Sequence, residues 1–555
     1  MKTLLKKLIS LPWLVRRSVE NRRNRLRLAK IAAEAAVKNK SSVKKGPKIL
    51  LAPSFSIFHT LKIHDILFTS LLAAKGARLA YLSSPFGLPF CQDCGGINNL
   101  AQTQQLCAYC RRFSRNDRDL SEHLKQFAQI YEPTEFVSQA EISKLQRLAF
   151  ALSDSELAEF IYEGLPIGQY SLDLVRNKGY VSNIQLVPDY QNFVRKAIFS
   201  NLLFHTYFKN TLAKFQPEVI LSHDAFYAPW RIIHDLALAA RIPIYNYYPG
   251  MRSNTFFYAK NKITFNLDMA QLFEKWRNRD ISKRELQKIQ KLFKTRNKLT
   301  IYDMPTKAVK KDGEQTAYER IIKSKRPLAI LYTNVLWDVM TLNKDTIFSS
   351  IQQSYLETVR FFIKHPEYNL IVKPHPLDLF RGHESKEQAD VLINTAFGKL
   401  PDNILVLPPN TPITSYELIG QADVSIVYTT TVGMESAILG TPVITIGAAH
   451  YANKGFTSDP KGSEDYFAAL KAMLDRPRHV SKQQQALAKK YYYLMNFVYW
   501  YDFGIIKYDF RPHRNRATVI PRKLANLLGN SEFNELADAV LAKQDVPFFD
   551  KHLLS

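Results

Sequence analysis

No run in this 555-residue chain approaches the roughly 20 apolar residues that cross a bilayer. The opening segment MKTLLKKLISLPWLVRR lacks a clean apolar core and a small-residue cleavage site, so it is not read as a secretory signal. Cysteine is scarce: all four lie between positions 91 and 110. A disulfide framework for so large a chain is therefore excluded, and a reducing cytosol is the expected setting. The Walker P-loop, GxGxxG, HExxH and nucleophile-elbow patterns are all missing. Without the dinucleotide fingerprint, a dehydrogenase is disfavoured. No Asp-x-Asp motif falls on an expected cleft loop, so magnesium dependence is not indicated. Internal repeats and low-complexity tracts are absent too.

Acidic residues are also in short supply, 50 against 76 Lys and Arg, for a formal charge of +26. Such an excess attracts anionic partners: nucleic acid, acidic lipid headgroups or phosphorylated substrates. Residues 1–45 carry much of it, opposed only by Glu20 and Glu34. Leu4, Leu8, Leu11 and Val15 recur there at helical spacing beside Trp13, the pattern of a basic amphipathic arm on an anionic membrane face. Pro12 interrupts that pattern, and a solvated basic helix is the alternative. The expected location is the cytoplasm, peripheral on the inner face of the cell membrane. A hydrophobic fraction of 46% and this length predict two domains with extensions.

Short apolar runs alternate with helical patterns in two series. KILLAPS (48–54), RLAYLSS (78–84), PEVILSHD (217–224) and IPIYNYYPG (242–250) read as strands, with helical patterns at 140–163, 191–214 and 228–240. PLAILYTN (327–334), NLIVKPHP (369–376), NILVLPP (403–409), VSIVYTT (424–430) and PVITIG (442–447) form the second series. The fold class is therefore α/β, with two doubly wound, Rossmann-like parallel-sheet domains facing a cleft. The expected division is an arm at 1–45, a first domain at 46–270, a basic helical linker at 271–325, a second domain at 326–480, and C-terminal helices at 481–555.

Four elements carry chemistry. Cys91, Cys94, Cys107 and Cys110 form C-x2-C-x12-C-x2-C, the spacing of a structural zinc knuckle inserted at 88–115, with an iron–sulfur cluster as the alternative. Lys373-Pro-His375-Pro follows a buried strand, at the edge where doubly wound sheets bind ligands. There both side chains can meet a phosphate, although His375 could simply cap the next turn. Thr429, Thr430 and Thr431 precede a helix opening with Val432-Gly433, and hydroxyls with free N–H groups at such a terminus make an anion site. Glu435, in the first turn of that helix, can reach ribose hydroxyls or merely complement the helix dipole. On the first domain, Ser222-His223-Asp224 ends a strand, and Asp224 or His223 is the favoured proton acceptor. Asp224 could equally be the N-cap of a helix over 225–238. Glu163, beside Gly164, is a lesser candidate, and Arg252 could neutralise developing phosphate charge.

Lys373-Pro-His375-Pro, Thr429 to Glu435, Gly440-Thr-Pro-Val443, Gly447-Ala-Ala-His-Tyr451 and Gly455-Phe-Thr457 resemble the bacterial capsule polysaccharide biosynthesis proteins, a group that includes Kdo transferases. The HP turn and hydroxyl cluster also resemble the motifs of bacterial GT-B sialyltransferases. The likeness is best over 327–460. Asn334-Val-Leu-Trp-Asp338 and Gly164-Leu-Pro-Ile-Gly168 share it more weakly, and the four-cysteine insertion departs from it. The resemblance implies a GT-B glycosyltransferase that moves a sugar from a nucleotide donor, CMP-sugar favoured, to a surface polysaccharide or lipid-linked glycan. His375 would serve in catalysis as well as binding; Lys373, His375, Thr429 to Thr431, Gly433 and Glu435 would hold the donor. Polysaccharide export machinery is an implied partner. The rivals are a zinc-knuckle nucleic-acid binder, which the basic charge would suit, and another GT-B enzyme such as a polyol-phosphate transferase or a sugar epimerase.

Overall fold

The computed structural model describes residues 2–41, 46–52, 59–83, 88–91, 122–132, 135–250, 252–296, 314–338, 341–380, 384–477, 479–509 and 516–547. The chain divides into two compact units. Residues 1–178, 189–266 and 498–555 form the first, and 179–188 with 267–497 the second. Among the described residues no helix is long and apolar enough to cross a membrane.

The first unit is built on a six-stranded sheet. Its strands are β1 (Lys48–Leu51), β2 (Arg78–Leu82), β3 (Ala128–Tyr131), β4 (Val219–Ser222), β5 (Ile244–Pro249) and β6 (Phe256–Lys260), in the order β3-β2-β1-β4-β5-β6. All pairs are parallel except β5–β6. Both faces are covered, so alternate residues enter different cores. Ile49 and Leu51 pack among the helices Lys2–Lys40 and His59–Ala74 and the C-terminal residues, whereas Leu50 and Ala52 face the helices Tyr190–Phe215 and Trp230–Ala239. β1 pairs with both β2 and β4, which puts the reversal of strand order at the carboxyl ends of β1 and β4. The sequence reading missed β3 and β6. The helical pattern expected over 140–163 ends at Ala151, because Ser153 turns the chain by donating both its N–H (2.8 Å) and its hydroxyl (2.6 Å) to Glu156.

Two further differences concern the ends of the chain. Residues 481–555 were expected to be helical, yet β12 (Ile506–Asp509) and β13 (Arg516–Val519) make an antiparallel hairpin within them. The physical reason is a period of two: Ile506, Tyr508, Ala517 and Val519 all point into the first unit's core. Part of the basic N-terminal arm also belongs to that core. Leu28, Ile31, Ala32 and Ala35 are fully buried, and Asn24 clamps β13 by donating to Ala517 O (2.6 Å) and accepting from Val519 N–H (3.0 Å).

The second unit carries a wholly parallel five-stranded sheet. Its strands β7 (Leu328–Tyr332), β8 (Asn369–Lys373), β9 (Ile404–Val406), β10 (Val424–Val427) and β11 (Val443–Thr445) run in the order β11-β10-β7-β8-β9. Strand order reverses at β7, between β8 and β10. The segment expected as a linker is part of this unit. Its helices Ala270–Trp276 and Lys283–Arg296 pack through Phe273, Trp276 and Phe293 on Tyr491, Tyr493 and Tyr492 of the helix Lys482–Tyr493. The charged pattern there hid an aromatic face.

Candidate functional site

In an open parallel sheet the ligand edge lies beyond the strand carboxyl ends at the reversal point. In the second unit that edge gathers the residues following β7, β8 and β10. Asn334, two residues past β7, donates from Nδ2 to Thr429 Oγ1 (3.0 Å) and accepts from Thr429 N–H (3.2 Å). Its own N–H donates to the Tyr355 hydroxyl (2.7 Å). β7 and β10 are therefore tied across the reversal, and this tie fixes where the threonine run begins. The sequence had marked Asn334 only through its resemblance.

β8 delivers Lys373 to the same edge. Lys373 is only 6% exposed, and its ammonium makes no hydrogen bond or ion pair among the described residues. Burial pushes its pKa down to about 8, against a weaker upward pull from Glu314. Glu314 accepts a hydrogen bond from the Thr411 hydroxyl on one carboxylate oxygen, while the other is buried without a partner. After Pro374, His375 caps a short 3-10 turn (Pro376–Leu379). Its Nδ1 accepts from Leu377 N–H (3.1 Å), and its backbone N–H donates to Thr333 Oγ1 (3.2 Å). The capping alternative is thus part of the structure, and it has a chemical consequence. With Nδ1 engaged as an acceptor, the neutral ring carries its proton on Nε2. Burial, then the neighbouring Lys373, lowers the pKa of His375 to about 4, so near neutral pH the ring is an uncharged donor.

Thr429 and Thr430 are buried, and Thr431 precedes the helix Val432–Leu439 without capping it by its side chain. Tyr451 is fully buried and donates its hydroxyl to Thr430 O (2.6 Å). That hydroxyl explains Gly433, since a Cβ there would come within 2.3 Å of it. Glu435 is 3% exposed and accepts from the Tyr416 hydroxyl (3.1 Å). Beyond β11, His450 Nδ1 and the Tyr491 hydroxyl lie 3.0 Å apart, and burial, then Lys344 and Lys454, lowers the His450 pKa to about 3. The sequence did not single out His450 and Lys344 for this edge. The only sign of them was the Gly-Ala-Ala-His-Tyr stretch at the end of a strand.

The first unit's reversal edge is organised differently. His223 is fully buried, and its Nε2 lies 3.1 Å from Asp65 Oδ1, which also accepts from the Tyr247 hydroxyl at 2.5 Å. Burial alone would raise the Asp65 pKa, but the His223 and His64 imidazoles hold it well below the usual carboxylate range. Asp224 accepts from the Thr264 hydroxyl (2.6 Å), and burial drives its pKa well above that range. It does not cap a helix over 225–238, because that helix begins at Trp230 with Pro229 as its N-cap. Arg252 pairs with Asp502 at 3.7 Å. Asp65, which partners His223, sits inside the apolar helix His59–Ala74 and gave no sequence signal. Of the expected zinc ligands, Cys91 is half-buried, and Cys94, Cys107 and Cys110 lie outside the described residues.

Three solved structures illustrate what the chain is similar to. The Thermosulfurimonas dismutans KpsC beta-Kdo 2,4 transferase is 14% identical, with a TM-score of 0.32 over 54% of this chain and 84% of that one. The beta-Kdo 2,7 transferase of the same organism is also 14% identical, with a TM-score of 0.31 over 61% and 89%. The UDP-GlcNAc 2-epimerase from Neisseria meningitidis is 10% identical, with a TM-score of 0.22 over 80% and 93%. No curated protein matches the chain. The family model described as capsule polysaccharide biosynthesis protein matches residues 268–491, which takes in all five strands of the second sheet and the whole Lys373-to-Tyr451 edge. It is to the capsule polysaccharide biosynthesis protein family that this stretch of the chain is similar.

Proposed function

We propose that this chain is a GT-B glycosyltransferase that takes a sugar from a nucleotide donor, CMP-sugar favoured, and passes it to a surface-polysaccharide or lipid-linked glycan acceptor. The observation that carries the reading is the composition of the second unit's edge: a buried Lys373 that makes no ion pair among the described residues and is only weakly drawn by Glu314, beside an imidazole that the turn Pro376–Leu379 holds as a neutral Nε2–H donor. A phosphate supplies what both groups lack. Lys373 meets its charge, His375 Nε2–H and the N-terminus of the helix Val432–Leu439 donate to its oxygens, and Thr429 to Thr431 with Gly433 shape the approach. As the bond from the anomeric carbon to the phosphate breaks, negative charge grows on the leaving oxygen, where these fixed donors are worth most. Glu435 is the residue proposed for the ribose; it would turn from Tyr416 to do so. The acceptor belongs to the first unit.

Thermal denaturation of the full chain with CMP, CDP, UDP, GDP and single-stranded RNA tests this. Stabilisation by one nucleotide, lost in His375→Ala, is expected. Stabilisation by RNA alone would sink the reading in favour of a nucleic-acid binder. Hydrolysis of a panel of nucleotide sugars and CDP-polyols then separates sugar transfer from polyol-phosphate transfer.

Two ancillary roles go with it. The N-terminal helix is proposed to hold the enzyme on an anionic membrane surface, near its glycan acceptor and the export machinery. In support, both of its acids face inward, Glu20 accepting from the Thr518 hydroxyl and Glu34 from Leu524 N–H (2.7 Å). Arg22, Arg23, Arg25 and Lys30 are left outward, with Leu26 64% exposed among them. Co-sedimentation with anionic but not neutral vesicles is the expected result. The four cysteines are proposed to hold one structural zinc. Metal analysis should find one zinc per chain, lost in Cys107→Ser.

A further inference from the structure

The second sheet's carboxyl edge has two sides, and the register of its strands assigns them. Tyr332, Lys373 and Val427 are paired positions and share one face. The Tyr332 hydroxyl donates to Ser415 O (3.3 Å), and Ser425, on the same face, donates from Oγ to Ser436 Oγ (3.0 Å). The helices Ser415–Ile419 and Val432–Leu439, which carry Tyr416 and Glu435, therefore lie on this first side. Ala329, Leu331, Leu370 and Val372 point the other way, into a core with Tyr355 and Val359 of the helix Ile351–Lys364.

On that second side stand two aromatic rings that are only half-buried, Trp337 and Tyr180. Leu336 enters the core that holds Tyr355, which brings Trp337, the next residue, to the rim. The indole is then locked in place. Its Nε1–H donates to Ser385 Oγ (2.8 Å), and that hydroxyl donates to Asp378 Oδ1 (2.7 Å). Asp378 is fully buried in the turn that His375 caps, and its N–H donates to His375 O (3.0 Å). One relay of hydrogen bonds thus sets the indole and the imidazole turn together.

Tyr180 reaches the same place under backbone strain. Its φ is 57°, a left-handed conformation that is rare for so bulky a residue. Such strain persists where the surroundings over-determine it. Here Lys386 N–H donates to Tyr180 O (3.0 Å). Glu387 Oε2 accepts from Ser182 N–H (3.0 Å), the Ser182 hydroxyl (2.9 Å) and Asn183 N–H (3.0 Å). The Tyr180 and Trp337 rings lie 4.9 Å apart with 65° between their planes, so they meet as a corner and are not stacked face to face.

A corner of this kind suits a sugar ring, which carries C–H groups on its faces and hydroxyls around its rim. Aromatic side chains take such faces by burying the C–H groups while the rim stays polar. The phosphate of a CMP-sugar bears ribose on one oxygen and the transferred sugar on another. With the phosphate over Lys373 and His375 and the ribose at Glu435, the ribose occupies the first side. The transferred sugar is left the second side, where the two rings are.

We infer that Trp337, flanked by Tyr180, is the shelf that receives the transferred sugar of the donor and so helps select it, with Ser385 and Asp378 as positioning residues; this rests on the nucleotide-sugar reading above.

Titration calorimetry on the full chain, with CMP and with the CMP-sugar that the hydrolysis panel selects, tests it. In Trp337→Leu, affinity for the CMP-sugar should fall by about 10-fold while affinity for CMP stays within about twofold. Trp337→Phe keeps an aromatic face and should hold the CMP-sugar within about threefold of wild type. A second readout needs no variant: wild-type tryptophan fluorescence should move to shorter wavelength with the CMP-sugar and not with CMP, as water leaves the indole. Equal losses of CMP and CMP-sugar affinity in Trp337→Leu would give the ring to the nucleoside or to the edge as a whole, and would overturn the shelf. If Trp337→Leu does not fold, the fluorescence decides, and the same response to both compounds overturns the inference. A wild-type chain that binds neither compound removes the CMP-sugar reading and the shelf with it. One that binds both, with CMP-sugar affinity untouched in Trp337→Leu, removes only the shelf.

Discussion

The two sheets end in polar edges of opposite character. At the first, Oδ1 of ionised Asp65 is matched by His223 and Tyr247, and Asp224 by Thr264, although Asp65 Oδ2 and His223 Nδ1 stay buried without a hydrogen-bond partner among the described residues. At the second, the buried Lys373 makes no ion pair among the described residues and feels only a weak pull from Glu314, and His375 is oriented by a turn that leaves its outer nitrogen as a donor. Burying a charge is costly unless it is paired. The first edge meets much of that cost internally; at the second, the proposed phosphate would meet it. Polar residues at a strand's carboxyl end are therefore not equivalent: those with internal partners hold the sheet together, and those without are available for chemistry.

The sharpest way to break this contrast is to disturb the matched edge. Asp65→Ala orphans the donors on His223 and Tyr247, and a loss of about 3–5 kcal/mol of first-unit stability in urea unfolding is expected, with nucleotide binding by the second unit unchanged. A cost below about 1 kcal/mol would show that the network is not structural. At the unmatched edge the outcome should invert. Lys373→Met should leave the melting temperature level or higher while weakening nucleotide binding by about 10- to 100-fold, the range of a charge-assisted bond; titration calorimetry reads this directly, and unchanged affinity would remove Lys373 from the site.

Smaller effects sharpen the picture. Gly433→Ala pushes a methyl into the Tyr451 hydroxyl and should cost about 2 kcal/mol, partly recovered in the double variant with Tyr451→Phe. If the double variant is as unstable as the single one, the helix itself, and not that contact, demands glycine. The smallest effect is a pH dependence. Lys373 has a folded pKa lowered to about 8 from its ordinary 10.5, so between those values the unfolded chain binds more protons and stability of the nucleotide-free protein rises with pH. A bound phosphate favours the charged ammonium, so affinity should fall as pH climbs through about 8, by up to tenfold per unit. An affinity that is flat from pH 7 to 9 would contradict this.

Much of the second unit could be read from residues alone. Four of its five parallel strands are buried throughout, with β9 half-buried at the edge, each strand is mostly apolar, and Lys-Pro-His-Pro and the threonine run lie at or just past the ends of two of them. The first unit was harder. β3 reads AQIY, half-exposed at the sheet edge, and β6 pairs antiparallel only because β5 offers it a partner. Neither carries a local pattern that distinguishes a strand from a loop. The aromatic faces at Phe273, Trp276 and Phe293 were masked by the lysines and arginines around them. Glu163 stood out in sequence only as a glutamate before a glycine, since nothing local reveals its positive φ or the buried His205 that lies 3.8 Å from its carboxylate.

The sequence by itself determined the α/β class, the second sheet's strands, and the residue types at its carboxyl edge, because apolar runs, prolines and helix-opening residues act through neighbours in the chain. Only the tertiary structure decided which polar groups are matched. Asp65 meets His223 across 158 positions, Asn334 meets Thr429 across 95, and Asn24 holds β13 across 493. Whether a buried charge is paired depends on distance in space and on the water excluded around it, and neither is written along the chain.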